Sequence, residues 1–161
     1  MINKTFIKTI VITSIYIILC VIFSFISFGP IQLRLSEVLC LLTIENPVYI
    51  IGIAIGCFIS NLLLSPLGTI DAIVGTIASI IGCLLGYTFR KVKYKNFPLL
   101  SAVIISIVNA VVVAIEMNYV LSNNNIFIYS FLEIFLGELV VLVAIGYPLY
   151  NKLLKIINNK K

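Results

Sequence analysis

The side chains able to do chemistry in this chain are few, and most are acceptors or donors of hydrogen bonds. There are six acidic and eleven basic residues and no histidine. Arg34, Glu37, Asp71, Glu116 and Glu138, with the amides Gln32, Asn61 and Asn109, lie in or beside apolar runs. An excess of carboxylates over the one guanidinium suits a cationic or hydrogen-bond-donating solute. Arg34 and Glu37 are three apart and can pair along a helix. Asn109 and Glu116 are seven apart and share one helical face. Glu133 and Glu138 are five apart and diverge, so one pocket takes only one of them. The deeper Glu138 is preferred, with Glu133 partly solvated.

Covalent or metal chemistry has little support. Without histidine the chain lacks the commonest general base and metal ligand. It has no GxSxG, no HExxH and no GxxxxGK[ST], so a hydrolase, a zinc enzyme and a P-loop ATPase are not expected. Cys20, Cys40, Cys57 and Cys83 sit inside apolar runs without a CxxC pair and read as small buried hydrophobes.

The elements that must position these side chains read as membrane helices. The composition is 61% hydrophobic and 11% charged, with mean hydropathy +1.21, too few charges for the surface of a water-soluble domain. Apolar segments run over 7–28, 31–45, 47–64, 69–89, 97–121 and 129–154, predicting an all-α bundle with six crossings in a single domain over 1–161. The second segment is short and carries charges. The N-terminal run is longer than a signal-peptide core and reads as a retained first helix. Phe28-Gly29-Pro30 predicts a tight turn, Asn46-Pro47 an N-cap with a first-turn proline, and Ser65-Pro66-Leu67-Gly68 a turn with Thr69 as the next cap.

Charge orients the bundle. Lys4, Lys8, Arg90, Lys91, Lys93, Lys95, Lys152, Lys155, Lys160 and Lys161 fall on one side of six crossings, leaving Arg34 alone. The positive-inside rule makes that side, with both termini, cytoplasmic. The net charge of +5 is then topological, and no nucleic-acid partner is expected. On this topology Glu45 lies at the inner side. Glu37, Asp71, Glu116, Glu133 and Glu138 lie in the outer half with Arg34, Asn61 and Asn109. Charges at that depth cost about 2.5–3.5 kcal/mol on insertion scales unless they face a cavity or partner. A polar pocket open to the outside is therefore expected.

Each residue also has a plainer reading. Asp71 suits a helix first turn, Arg34 and Glu37 suit an ion pair, and Asn61 suits a bond to a neighbouring helix. Gly52-x-x-x-Gly56 and Gly82-x-x-x-Gly86 read as helix-packing faces.

The stretch Phe28-Gly29-Pro30-Ile31-Gln32-Leu33-Arg34-Leu35-Ser36-Glu37 resembles the signature of the queuosine-precursor transporter (QueT) family. Gly56 to Asn61, followed by Ser65 to Asp71, is similar to a second block of that family. Asn109-Ala110 and Gly137-Glu138 match its fifth and sixth helices. The resemblance implies a substrate-binding S-component of an energy-coupling factor (ECF) transporter, a six-helix bundle in the bacterial cytoplasmic membrane. It implies partners: a transmembrane coupling protein and two cytoplasmic ATPases that hydrolyse the ATP, with no cofactor on this chain. The implied solute is a 7-deazaguanine: queuine, its nucleoside or the aminomethyl precursor. Glu138 or Glu37 would then accept the guanine-like N–H edge, and Glu116 or Asp71 a cationic amine. Asn109, Asn61 or Gln32 would supply the amide. S-components carry small alanines at four-residue spacing on the first helix, facing the coupling protein; here Thr9 and Thr13, beside Ser14, stand in that place. An S-component for another micronutrient, such as a vitamin, and a stand-alone carrier are the competing readings.

Overall fold

A computed structural model describes residues 4–27, 33–121 and 126–158. The predicted turn at Phe28-Gly29-Pro30, Gln32 and residues 122–125 lie outside the described residues. In chain order the elements are α1 (Lys4–Ile22), a short α2 (Ser24–Ser27), a 3₁₀ helix (Leu35–Ile44), α3 (Tyr49–Leu64), α4 (Thr69–Thr88), α5 (Leu99–Leu121), α6 (Ile126–Leu139), a π segment (Val140–Ile145) and α7 (Gly146–Asn158). An all-helical chain satisfies its backbone polar groups internally, as hydrocarbon demands. Four helices are long and apolar enough to cross a bilayer: Lys4–Ile22, Thr69–Thr88, Leu99–Val120 and the continuous Phe127–Ile157. Leu35–Ile44 and Tyr49–Leu64 are apolar but shorter.

The packing faces follow small residues. At Gly52 an added Cβ would lie 2.8 Å from the Thr9 carbonyl oxygen, and at Gly56 3.0 Å from Tyr16, so α3 lies directly against α1. Thr9 meeting Gly52 and Tyr16 meeting Gly56 makes these helices parallel. At Gly86 an added Cβ would fall 2.9 Å from Ile105, and at Gly82 3.6 Å from Asn109, which sets α4 antiparallel to α5. Both GxxxG stretches are thus packing faces, as expected. The expected cap of α3 by Asn46 does not form: Asn46 Oδ1 accepts the Val48 N–H at 3.0 Å and closes the turn ahead of the helix, while Val48 takes the N-cap position without a side-chain cap. The expected cap by Thr69 is replaced by Gly68, whose φ of +50° makes the corner and whose carbonyl accepts the Ala72 N–H at 2.9 Å.

The second segment departs most from expectation. It is a 3₁₀ helix, with three residues per turn and a rise of about 2 Å per residue, so ten residues reach about 20 Å where an α-helix would reach about 15 Å. Ser36 to Ile44 are all buried, at the centre of the bundle, touching α1, α3, α4, α5 and α7. With side chains eclipsed every third residue, Glu37, Cys40 and Thr43 form one row and Ser36, Leu39 and Leu42 another.

The π segment has a matching consequence. Glu138 and Tyr150 are twelve residues apart, which in an unbroken α-helix leaves them about 120° out of line. One extra residue taken up in the wide turn brings them within about 20°. Both are buried, and they address opposite ends of the 3₁₀ helix.

Candidate functional site

At the middle of the bundle a narrow cavity is lined by Arg34, Glu37, Gly75, Ser79, Asn109 and Glu138, with Ala78, Val113 and Ile134 as its apolar walls. Its empty volume is about 280 Å³. Free space inside amounts to about one ordered water, so it is a tight polar centre rather than an open cup.

Glu37 is the anchored acid. The Tyr16 hydroxyl donates to its Oε1 at 2.5 Å, the Ser79 hydroxyl to the same oxygen at 3.5 Å, and the Cys40 thiol to its Oε2 at 2.9 Å. Glu138, equally buried, differs: it adjoins Asn109, yet its Oε2 and the Asn109 Oδ1 have no hydrogen-bond partner. Buried polar atoms are normally paired, so two open acceptors facing one cavity mark where a donor is expected. The Arg34 guanidinium stands within electrostatic reach of Glu37, Glu138 and Glu116.

About one helical turn along α4 and α5 lies a second group. Asp71 and Glu116, 5% and 6% exposed, adjoin each other across the two helices. The Ser65 hydroxyl donates to Asp71 Oδ2. Asn61 donates from Nδ2 to the Asp71 carbonyl at 3.1 Å and to Cys57 Sγ at 3.3 Å, so its amide ties the end of α3 to α4. Gly75 separates the two groups; a Cβ there would meet Asn61 Nδ2 at 2.6 Å.

The structure therefore gathers Arg34, Glu37, Asn109 and Glu138 in one cavity and Asn61, Asp71 and Glu116 beside it. Glu133 is half-buried on another face of α6. Thr9 is buried, and Thr13 donates to the Thr9 and Gly52 carbonyls at 3.0 Å each. Both threonines thus turn toward α3, while Ser14 is exposed on the outer arc of α1 among Ile7, Ile10, Ile15 and Ile18. Sequence reasoning missed Tyr16, Cys40, Ser65, Gly75 and Ser79. Asp71, Gly75 and Ser79 recur every fourth residue, a signal that was available on α4; nothing in the sequence marks Tyr16 as the donor to Glu37. Among the described residues no cluster of three or more His, Cys, Asp or Glu is arranged to hold a metal ion.

The opposite end of the molecule is basic. Glu45 Oε1 accepts from Lys93 Nζ at 3.0 Å and from the Tyr150 hydroxyl at 2.5 Å. Burial raises the Glu45 pKa, but the bonds from Tyr150 and Lys93 outweigh it and hold the carboxyl below its ordinary value. Phe97 packs edge-on against Tyr147 and Tyr150 at 5.4 and 5.7 Å, fixing the basic loop to α7.

Comparison with known proteins gives one consistent result. A family model described as QueT transporter matches residues 6–155. A curated relative, the Queuosine precursor transporter QueT of Lactococcus lactis subsp. cremoris (strain MG1363), is 33% identical over 120 residues, covering 68% of this chain and 70% of the relative. No solved structure matches the chain.

Proposed function

The chain belongs to the QueT transporter family, and from that membership and the polar interior we propose that it is the substrate-binding subunit of an ECF importer for a 7-deazaguanine precursor of queuosine. Membership makes it a transporter and not an enzyme. The observation that carries the substrate reading is the pair of open acceptors, Glu138 Oε2 and Asn109 Oδ1, beside the Arg34 guanidinium in a water-poor cavity. A guanine-like edge offers adjacent N–H donors to Glu138 and Asn109 and a carbonyl to Arg34. Glu37, already holding Tyr16, Cys40 and Ser79, positions Arg34 and is not the acceptor of the base. A bicyclic base needs more room than one water, so the lining helices separate when it enters and close over it.

The chain is proposed to cross the bacterial cytoplasmic membrane six times, the 3₁₀ helix and α3 being the two short crossings. The end bearing Lys4, Lys8, Arg90, Lys93, Lys152 and Lys155 then faces the cytoplasm with both termini. The acidic side of the bundle then faces the outside, and the closed cavity would open in that direction to admit the solute. ATP would be hydrolysed by two partner ATPases, a reading supported by the lack of a P-loop here. A coupling protein would dock on the exposed arc of α1 around Ser14, with Thr9 and Thr13 setting the tilt of that helix on α3.

The test is uptake. The chain is expressed with and without an ECF coupling module in cells unable to make queuosine, each precursor is supplied, and queuosine is assayed in tRNA. Rescue only with the module supports the reading. Rescue by the chain alone would make it a self-sufficient carrier, and rescue by neither would remove the solute assignment.

A further inference from the structure

The basic end of the molecule carries a surface that solute binding does not use, built from two elements. The first is the loop over 90–97 between α4 and α5. Its ends close on each other, the Tyr94 N–H donating to the Phe97 carbonyl at 2.8 Å and the Phe97 N–H to the Tyr94 carbonyl at 2.9 Å. Lys95 and Asn96 make the two-residue turn between them, at φ of +47° and +64°. Asparagine suits that left-handed backbone; lysine rarely adopts it. A lysine held there, on an exposed tip, points to a use for its side chain. The second element is α7. Leu153, Leu154 and Ile157 pack on the core, which leaves Lys152 and Lys155, three apart, exposed on the other face. Phe97, set edge-on against Tyr147 and Tyr150, joins the loop to the helix.

Most of these cations have no counter-charge within the chain. Lys93 pairs with Glu45, and the Arg90 guanidinium lies 4.1 Å over the Tyr87 ring. Glu45 is the one acid at this end, so Lys91, Lys95, Lys152 and Lys155 have no acidic partner among the described residues. Apolar side chains stand between them: Val92 is 54%, Tyr94 58% and Ile156 66% exposed. The depth is also set. The continuous helix Phe127–Ile157 has 31 residues, roughly 46 Å, against about 30 Å of hydrocarbon, so its ends reach the headgroup layer, Lys152 and Lys155 at one of them. α4 ends at Thr88 and α5 begins at Leu99, which puts the loop at the mouth of two more apolar helices.

We propose that the 90–97 loop and the exposed face of α7 form a binding surface for the headgroups of anionic phospholipids. Lys95, Lys152 and Lys155 meet the phosphates, and Val92, Tyr94 and Ile156 enter the layer beneath them. Clustered lysines select an anionic headgroup. Aromatic and aliphatic side chains among lysines, at the ends of apolar helices, select a lipid layer. An acidic protein would answer the charges and leave those apolar side chains without a partner.

The test places the purified full chain in phosphatidylcholine vesicles. Spin-labelled phosphatidylglycerol and phosphatidylcholine with the same acyl chains report how strongly each lipid associates with the protein. The wild type is expected to prefer the anionic lipid at least about fivefold at low salt, roughly the effect of one lysine near an anionic surface, and to lose most of that preference in about 1 M salt. Lys95→Asn and Lys152→Gln are each expected to remove at least half of it. Asparagine suits the turn, so the melting temperature of Lys95→Asn is expected to hold or rise, which certifies the fold. Lys4→Gln removes the same charge from the start of α1 and is expected to leave the preference unchanged. Equal association of the two lipids would overturn the proposal. Equal losses in Lys4→Gln and the surface variants would also overturn it, since the preference would then be diffuse net charge. Polyglutamate that displaces the labelled lipid and stabilises the protein more than phosphatidylglycerol does would assign the surface to an acidic protein and overturn the lipid.

Discussion

Two glutamates of the same burial do different work because of what reaches their oxygens. Glu37 takes donors from Tyr16, Ser79 and Cys40, on three different helices. Glu138 keeps Oε2 open toward the cavity. Replacing Glu138 by Gln is expected to weaken binding of the aminomethyl ligand tenfold or more, about 1.4 kcal/mol, with little change in melting temperature. Calorimetric titration of the purified protein checks it, and unchanged affinity would remove Glu138 from the site. Glu37→Gln is expected to behave the other way. It replaces an acceptor by a donor facing the Tyr16 hydroxyl, so the melting temperature falls, consistent with about 1–3 kcal/mol for a disturbed buried network. Depth along the chain ranked these acids together; only their partners separate them.

Close approach of helix backbones decides what each element tolerates. Gly52→Ala places a methyl 2.8 Å from the Thr9 carbonyl, a backbone atom that cannot swing aside. It is expected to destabilise the protein by about 1–3 kcal/mol. Gly82→Ala meets its nearest atoms at 3.6 Å, ordinary contact, and is expected to be neutral. Thermal unfolding in detergent compares the pair, and equal losses would show that the α1–α3 contact is not the tighter one. The π segment makes a second demand. Inserting one alanine beside the exposed Ala144, with the wide turn still absorbing a single residue, turns Tyr150 by about 100° relative to Glu138. The Tyr150–Glu45 bond and the Phe97–Tyr150 contact are then lost, and the melting temperature is expected to drop. No drop would mean that the alignment of Tyr150 with Glu138 carries no stability.

Across the whole molecule the charges are sorted by end. Acids meet in the interior toward the start of α4 and the end of α5. The basic residues gather where α1 begins, the 90–97 loop turns and α7 runs out. Glu45 joins that basic end to the core through Lys93 and Tyr150. Its carboxyl titrates below the ordinary value of about 4.3, so the stabilisation it gives is complete above that pH and disappears as pH falls through the lowered value. The melting temperature is therefore expected to fall more steeply below about pH 4 in the wild type than in Glu45→Gln. Parallel curves would show that this contact does not contribute.

The sequence by itself determined the helical class, the separation of basic from acidic ends and which polar residues avoid lipid. These follow from the cost of placing charge in hydrocarbon and from the length of apolar runs, both local properties. It also marked the two GxxxG faces, because backbones approach closely only where side chains are absent. Tertiary structure decided the rest. The second segment is a 3₁₀ helix because it must span the centre of the bundle with ten residues while touching elements on every side, a demand that its own sequence does not state. Thr9 and Thr13 turn toward α3 because Gly52 leaves a gap of their size. Glu37 is anchored and Glu138 left open because the hydroxyls of Tyr16 and Ser79 reach Glu37 from helices distant in the chain, while only the Cys40 thiol, three residues on, comes from its own element.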